Sequence, residues 1–240
     1  MLDAYPVTAP PMPRPHFFGQ SWTDLTFVHW PVHADSVAHL FPPGTRPDVF
    51  ADGMTYVALV PFAMRGLGFR ASRGIPYLGN FVETNVWLYS VDDAGRHGLL
   101  FQTEEAGRLA VVPFGRMVGF PYRWAKMRMT RSGDRITYDS TRRRPMRPLR
   151  SRLTISVGDA IEPTPLEVWL TARWGSHLRK AGRTWWMPAT HEPWPLRAAR
   201  IIDLDDGLLE DIGVRPAGAP LRGLFSPGVR ATFGRPVRVR

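Results

Sequence analysis

Proline and glycine interrupt this chain so often that a long helix has little room to form. The 240 residues include 24 prolines and 22 glycines, spread along the whole length. Proline removes a backbone donor from a helix interior, and glycine weakens helices, so the chain is divided into short segments. The frequent prolines and glycines therefore favour a protein built from β-strands and turns.

Side-chain alternation predicts where the strands lie. Residues 82–91 give the clearest pattern, with a polar and aromatic face (Glu83, Asn85, Trp87, Tyr89) opposite an aliphatic one (Val82, Thr84, Val86, Leu88). Turn residues at 92–95 and 132–134 predict hairpins. Further strands are predicted at residues 25–30, 54–64, 97–103, 122–130, 135–142, 153–157, 166–172, 184–187, 196–204, 221–225 and 229–233.

Two segments predict helices, and Pro61 predicts an edge or a bulge in the strand at residues 54–64. Residues 35–40 are expected to form a short helix capped by Asp35, and residues 105–118 the main helix, bent at Pro113.

The fold class expected from these elements is mainly β, a β-rich α+β protein with few short helices. We expect an antiparallel closed barrel or a cone-like double sheet, because closure removes exposed strand edges. Residues 1–20 are expected to form an extended arm, and residues 21–240 a single domain.

The amino-acid composition limits the cellular location and the kinds of catalytic chemistry that this chain supports. Cysteine is absent, so disulfides, thiolate metal sites and cysteine nucleophiles are excluded, and a cytoplasmic location fits. The proline-rich N-terminus has no apolar run after a basic segment, so we expect neither a signal peptide nor a membrane anchor there. The net charge is +10, but only two lysines occur, Lys126 and Lys180. Any imine chemistry of lysine is limited to these two residues.

Nucleotide and metal motifs are missing. The chain has no P-loop, no dinucleotide fingerprint, no HExxH and no GxSxG elbow. His29 and His33 have the spacing of a metal pair on a helix, but Pro31 between them argues against a helix. We therefore expect neither a metal nor a cofactor.

Glu83 is the most interesting carboxylate, because it shares a strand face with an amide and two aromatic side chains. Desolvation in such a pocket would disfavour its ionised form and make it a candidate general acid or base. The alternative interpretation is an ion pair with one of the many arginines. His29 has a similar ambiguity between a ligand-binding or catalytic role and a packed core histidine.

Residues 115–126, GRMVGFPYRWAK, carry the strongest signal. They resemble the helix-to-strand signature of acetoacetate decarboxylase-like proteins, in which a GR-containing helix runs through a GFP turn into a pair of lysines. The resemblance implies that the first lysine forms a Schiff base and that the second lowers its pKa. Tyr122 and Arg123 stand at these two positions here, so ordinary acetoacetate decarboxylase activity is not expected.

Other strings are similar to an uncharacterised bacterial branch of that superfamily, the DUF2071 or YqjF-like family. They are FVHWPV, FPPGTRPD, YVALVPF, FVETNVWLY, GFPYRWAKM, LTARW, HEPWPL and LFSPGV, in this order through nearly the whole chain. The resemblance implies the fold, a pocket glutamate at Glu83 and the arginine of the GR pair at Arg116.

Neither lysine is an evident replacement for the missing amine. Lys126 lies four residues beyond Tyr122, about 13 Å along a strand, so that only a bulge would bring it to the same pocket. The alternative is a lysine whose stem lies along Trp124 with its ammonium group in water. Lys180 is expected in an exposed hairpin tip.

Residues 142–152 hold a basic stretch with six arginines (Arg142, Arg143, Arg144, Arg147, Arg150, Arg152). Closely spaced arginines neutralise phosphates, so this stretch is the candidate for nucleic-acid binding. It has no aromatic residues for base stacking, and a solvated hairpin is the favoured interpretation.

We therefore predict a protein that binds a small anionic or carbonyl-containing molecule in an interior pocket. Its candidate catalytic residues are Glu83 and Tyr122, and Tyr122 would donate a hydrogen bond to an oxyanion or carbonyl oxygen. The planar guanidinium group of Arg123 would bind a carboxylate or phosphate through two hydrogen bonds. The ligand-binding candidates are His29, Asn85, Arg116, Arg123 and Lys126. An enzyme would be lyase-like, acting on a small keto or carboxylic acid; the alternatives are a noncatalytic ligand-binding or regulatory protein and a nucleic-acid-binding protein. Homo-oligomers are conceivable from the resemblance, and no membrane partner is expected.

Overall fold

The computed structural model describes residues 6–12, 14, 16–69 and 77–239. These residues are mainly in β-strands, as predicted. The strands are β1 (Phe18–Val32), β2 (Thr45–Pro47), β3 (Thr55–Phe69), β4 (Phe81–Asp92), β5 (His97–Ala106), β6 (Tyr122–Ser132), β7 (Arg135–Arg142), β8 (Arg150–Ala160), β9 (Gly175–Lys180), β10 (Arg183–Thr190), β11 (Arg197–Asp206), β12 (Gly223–Phe233) and β13 (Val237–Arg238). The helices are α1 (Ala34–Val37), α2 (Val111–Val118), α3 (Pro165–Thr171) and α4 (Leu208–Asp211), with a 3-10 turn at Ala38–Leu40.

All these strands belong to one sheet that curls back on itself. Their order is β13-β10-β9-β5-β6-β7-β8-β11-β12-β1-β3-β4-β2, and the extra pairings β4–β5 and β10–β12 join distant parts of the sheet. Strands β5, β4, β3, β1, β12, β10 and β9 thereby surround one space. The ring agrees with the predicted curled sheet, except that β5 runs parallel to β6 and β9. None of the helices in the described ranges is long and apolar enough to span a membrane.

Strand β4 has the two faces that its alternation predicted. Val86 and Leu88 pack into one hydrophobic cluster, and Trp87 and Tyr89 pack into another on the opposite side of the sheet. All four side chains are almost completely buried, because β4 lies between β3 and β5 and has apolar layers on both faces. The cluster on the side of Trp87 lies within the ring of strands and borders the cavity described below.

Pro61 lies opposite a bulge, one of the two predicted alternatives. It pairs with Thr84 of β4 on one side, whereas the register between β1 and β3 shifts between Thr23 and Val28 on the other. Asp24 within the shift has a positive φ of 47°, which fits an irregular strand segment. Residues 18–20, expected to belong to the extended arm, are the start of β1.

The prediction of a strand at residues 166–172 is wrong, because this segment forms α3. Thr164 accepts a hydrogen bond from the backbone N–H of Glu167, and the Glu167 carboxylate accepts one from the backbone N–H of Thr164. This reciprocal capping box, with Pro165 at the first helical position, stabilises a helix start that local hydrophobicity did not reveal.

The main helix predicted at residues 105–118 begins later, at Val111, since residues 105 and 106 belong to β5. Pro113 lies in the first turn of α2, where its missing N–H leaves no helical hydrogen bond unmade, and the expected bend has no cause there. Asp35 does not cap α1, because His33 occupies the capping position without a side-chain hydrogen bond. The strands expected at residues 221–225 and 229–233 form the single strand β12.

A buried ion pair ties β5 to β7 on the side of the sheet opposite Trp87. Arg142 contacts Glu105 at 2.6 Å and Asp211 at 2.7 Å, and Glu105 is fully inaccessible to solvent. Thr103 also donates its hydroxyl to Glu105. A buried carboxylate with these partners is satisfied, but removal of the cation would leave it uncompensated.

We expect Arg142→Ala to lower the free energy of unfolding by roughly 3–5 kcal/mol, because Glu105 would remain buried without its cation. Arg152→Ala is the matched control, since Arg152 is 39% exposed and pairs with Asp139 at the surface. Its loss should cost less than about 1 kcal/mol. Urea denaturation of the two variants measures both values; equal losses would contradict the assigned role of the buried pair.

Candidate functional site

The ring of strands encloses a cavity of about 100 Å³, which is space for a small organic molecule or several waters. Strands β1, β3, β4 and β5 form its walls, and α2 and α3 also contribute to its lining. Most of the lining is aromatic or aliphatic, including Trp22, Phe27, Phe62, Trp87, Phe101 and Trp194. An apolar lining with a few polar groups is typical of a small-molecule site.

Four polar residues of the cavity form a row across three strands, and Gln20, Arg173 and His191 also line the cavity. Asn85 of β4 pairs with Glu104 of β5, which pairs with Tyr122 of β6. Directly paired residues project to the same face of a sheet, so all three side chains face the cavity. Glu83 lies two residues before Asn85 on the same face.

Glu83 is held by two hydrogen bonds within this row. The Asn85 side-chain amide donates to Glu83 Oε1 at 2.9 Å, and the Tyr122 hydroxyl donates to Glu83 Oε2 at 3.0 Å. Burial raises the pKa of Glu83 to about 7, although both hydrogen bonds favour the ionised form. The carboxyl group therefore changes its protonation state close to neutral pH.

Glu104 is the second carboxyl group of the cavity. It is 3% exposed, and its Oε2 atom has no hydrogen-bond partner among the described residues. Burial, followed by the neighbouring charge of Glu83, raises the pKa of Glu104 well above its usual range. Burial and the charges of Glu83 and Glu104 also raise the pKa of the Tyr122 hydroxyl. Burial therefore favours the protonated form of Glu104, beside a carboxyl group with a pKa of about 7.

Two further polar atoms near Glu104 are buried without partners in the described part of the chain. They are Asn85 Oδ1, an acceptor, and Trp87 Nε1, a donor. Buried polar atoms in folded proteins are nearly always paired, so unpaired ones in a cavity mark positions where a ligand finds hydrogen-bond partners. Together with Glu104 they provide an acceptor, a donor and a carboxyl group.

Sequence reasoning missed Glu104 because the predicted strand ended at residue 103, whereas β5 continues to Ala106, and because a β-bulge reverses the alternation of β5. Trp87 pairs with Phe101, whereas Val86 pairs with Thr103, so Gln102 is an extra residue. Without the bulge, Phe101 and Glu105 would share the cavity face and Glu104 would face away. Two adjacent glutamates in a strand were the available signal, since one of them must face each side.

Helix α2 fixes the position of Tyr122. A Cβ atom added at Gly115 would lie 2.1 Å from the Tyr122 ring, so the ring lies directly against the backbone of α2. Arg116 Nε donates to the Tyr122 carbonyl at 2.8 Å, and Gly119 ends the helix with φ at 118°. The GR pair and the GFP turn thus hold the tyrosine from both sides.

Of the other residues predicted for the site, Asn85 lines the cavity and His29 lies behind its wall. His29 stacks on Phe27, which lines the cavity, and is 1% exposed. Burial lowers the pKa of His29 to about 3, so the imidazole is neutral at physiological pH. His29 is therefore packed against the site without lining it.

The structure does not bring Arg116, Arg123 or Lys126 to the cavity. Arg116 and Lys126 are exposed, and Arg123 projects to the opposite face of β6 from Tyr122. The expectation that a buried Arg123 lies beside Glu83 is wrong, because strand parity separates their side chains. Lys180 is exposed in the hairpin tip between β9 and β10, as predicted.

The basic stretch at residues 142–152 is less available than its sequence indicates. Arg142 is buried in the ion pair with Glu105, and Arg152 pairs with Asp139 and Asp203. Arg143 lies over the ring of Trp124 at 4.6 Å. Three of the six arginines therefore already have partners within the protein.

Comparison with solved structures places this architecture in the acetoacetate decarboxylase-like class. The enduracididine biosynthesis enzyme MppR complexed with pyruvate superposes with a TM-score of 0.67 at 15% identity, covering 95% of this chain and 92% of MppR. Acetoacetate decarboxylase from Legionella pneumophila superposes with a TM-score of 0.61 at 13% identity, covering 96% and 92%. At these identities the likeness is one of fold, and it confirms the fold that the sequence resemblance implied.

The chain belongs to the DUF2071 family, whose model is described as an uncharacterized conserved protein and matches residues 19–230. The uncharacterized protein YqjF of Bacillus subtilis (strain 168) is 30% identical over 183 residues, which cover 75% of each chain. The family predicted from the sequence strings is thereby confirmed.

We expect Glu83→Gln to make the protein less sensitive to rising pH. A carboxyl group with a raised folded-state pKa contributes stability at low pH that is lost as pH rises from the unfolded value of 4.5 through about 7. Between pH 4.5 and pH 8, the variant should therefore gain on the order of 3 kcal/mol relative to wild type. Denaturation curves at several pH values measure this difference.

The variant Glu162→Gln, which removes an exposed carboxylate, is the control for that experiment. A constant difference between Glu83→Gln and wild type would show that Glu83 does not titrate near neutral pH.

We expect Gly115→Ala to displace Tyr122, because the new methyl group would overlap its ring. The hydrogen bond to Glu83 would be lost, and the midpoint of Glu83 titration, followed by carboxyl infrared bands, should rise. Overpacking should also cost about 1–3 kcal/mol of stability. Gly218→Ala is the control, since its nearest neighbour, Pro31, is 3.9 Å away. An unchanged Glu83 titration in Gly115→Ala would contradict the contact.

Proposed function

We propose that the protein binds a small, largely apolar carbonyl compound in the cavity and transfers a proton at the carbon next to the carbonyl group. The observation that carries this proposal is the pair of buried carboxyl groups, Glu83 and Glu104, on an apolar wall. The unpartnered Oε2 of Glu104 supports a direct contact between Glu104 and the ligand.

Glu83 is the general base in this proposal. Its pKa of about 7 suits a base at physiological pH, because a sizeable fraction is ionised while the carboxylate remains basic enough to take a proton. Asn85 and Tyr122 donate to its two oxygens and hold the carboxylate in place. Tyr122 therefore positions the base, instead of contacting the ligand oxygen as the sequence suggested.

Glu104 is the neutral acid. Its raised pKa keeps it protonated, so it donates a hydrogen bond to the carbonyl oxygen of the ligand. Trp87 Nε1 is a second donor on the same wall. When Glu83 removes a proton from the α-carbon, the electron pair of that C–H bond moves into the carbonyl group, and the growing charge on oxygen is stabilised by these donors.

This chemistry uses no amine, which accords with the tyrosine at the position where the superfamily resemblance implies a Schiff-base lysine. Both lysines of the chain are exposed. A ligand class of small carbonyl compounds is also supported by the pyruvate complex of MppR, a protein of the same fold. A largely apolar carbonyl compound fits the cavity, because most of the lining is aromatic or aliphatic.

Exchange of α-protons for deuterium tests the proposal. Wild-type protein in D₂O should accelerate exchange in at least one compound of a panel containing 2-butanone, 4-phenyl-2-butanone and pyruvate, followed by proton NMR. The rate should rise with pH through about 7, as Glu83 ionises. Glu83→Gln should lower it by about 10²–10⁴-fold, the usual contribution of a general base.

Glu162→Gln, on the surface, should leave the exchange rate unchanged. Exchange that is equally fast in Glu83→Gln would exclude Glu83 as the base. Binding of a panel compound without any exchange would favour the noncatalytic ligand-binding protein.

A further inference from the structure

An arginine-lined groove lies on the outer surface next to the cavity. It has a volume of about 330 Å³ and is formed by β5, β9 and the turn after α2. Three guanidinium side chains line it, Arg116, Arg123 and Arg179, and no aspartate or glutamate does so in the described part of the chain. We call this feature the outer groove.

The three arginines are engaged only by neutral acceptors among the described residues. Arg116 and Arg123 both donate to the Tyr122 carbonyl, and Arg179 donates to the Leu40 carbonyl. Burial and the nearby charges of Arg116 and Arg142 lower the pKa of Arg123, and this effect outweighs the opposite one of Glu105 and Asp211. An anion placed among them would relieve this repulsion.

The outer groove and the cavity share a wall. Phe101 and Phe120 line both, and their rings meet edge to face with centroids 5.6 Å apart. The sheet is split at this point, because β5 pairs with β9 only at Leu99 and with β6 only from Glu104 onward. Residues 100–103 therefore have no strand partner on that side in the described register.

Tyr122 connects the outer groove with the cavity. Tyr122 accepts hydrogen bonds from Arg116 and Arg123 at its carbonyl, and its hydroxyl donates to Glu83 in the cavity. One tyrosine residue thus spans the interval from the arginines to the carboxyl pair. A ligand with an anionic end and an apolar carbonyl end, joined by a short spacer, matches this arrangement.

We propose that the outer groove binds the phosphate group of a phosphorylated ligand whose apolar carbonyl part enters the cavity by separating the rings of Phe101 and Phe120, which are in contact across the shared wall. Phosphate is the anion that suits the groove, because its two negative charges and several acceptor oxygens match three guanidinium forks. Phosphate binding by the groove is independent of the cavity chemistry. The placement of the carbonyl part rests on the proposed function.

Calorimetric titration with inorganic phosphate and with phenyl phosphate tests the groove. We expect the triple variant Arg116→Ala, Arg123→Ala, Arg179→Ala to bind both at least tenfold more weakly than wild type. The matched control replaces three exposed arginines elsewhere, Arg128, Arg200 and Arg215, by alanine and changes the net charge equally. Equal weakening in both triple variants would reduce the effect to net charge and overturn the proposal.

Benzoate distinguishes phosphate recognition from general anion binding, and it should bind at least tenfold more weakly than phenyl phosphate. Equal affinity of the two would overturn the choice of phosphate. Circular dichroism and thermal denaturation establish that each variant is folded before titration.

NMR tests the passage into the cavity. Phenyl phosphate bound to wild type should give nuclear Overhauser effects from its ring protons to the methyl groups of Val60, Leu99 and Val111, which line the cavity. Phosphate binding without these contacts would overturn the two-part ligand. Glu83→Gln should still bind inorganic phosphate as wild type does, so failure of the proton-transfer proposal and failure of the groove proposal give different results.

Discussion

Strand β5 is buried on both faces, and the structure depends on how its two adjacent glutamates are accommodated. Desolvation makes an isolated buried carboxylate very unfavourable, so each must gain a cation or keep a proton. Alternation along the strand sends them to opposite sides. Glu105 meets Arg142 in an ion pair that also joins β7 and Asp211, whereas Glu104 enters an apolar cavity where burial favours its neutral form. One strand thus carries a buried ion pair on one face and a carboxyl group that lines the cavity on the other.

The same strand shapes access to the cavity. β5 pairs with β4 along most of its length, but its other edge is shared between β9 at one end and β6 at the other. The two parallel partners diverge, and Phe101 and Phe120 separate the cavity from the outer surface where they do so. If β5 were paired along this whole edge, backbone hydrogen bonds would close the wall. The proposed entrance therefore exists because β5 lacks a strand partner at residues 100–103.

The row of Asn85, Glu104 and Tyr122 gives this fold a site unlike the lysine site that its superfamily resemblance implies. A tyrosine hydroxyl held against Gly115 and bonded to Glu83 positions a carboxyl group instead of forming an imine. The pair of carboxyl groups is suited to proton transfer, because different hydrogen-bond environments separate their pKa values. Shared architecture with acetoacetate decarboxylase therefore leaves the reaction to be argued from the site itself.

The sequence by itself determined the β-rich class, the family, the two faces of β4 and the place of Glu83, Asn85 and Tyr122 on one cavity wall. These follow from local signals, namely proline and glycine spacing, alternation and an extended motif. Tertiary structure alone decided that Glu104 faces the cavity and that Glu105 meets Arg142 on the other side of the sheet. The bulge at Gln102 and the contact of Glu105 with Arg142 depend on pairing between segments, and a single strand's periodicity contains no information about its partners. The cap between Thr164 and Glu167 is local, and the sequence did contain its signal.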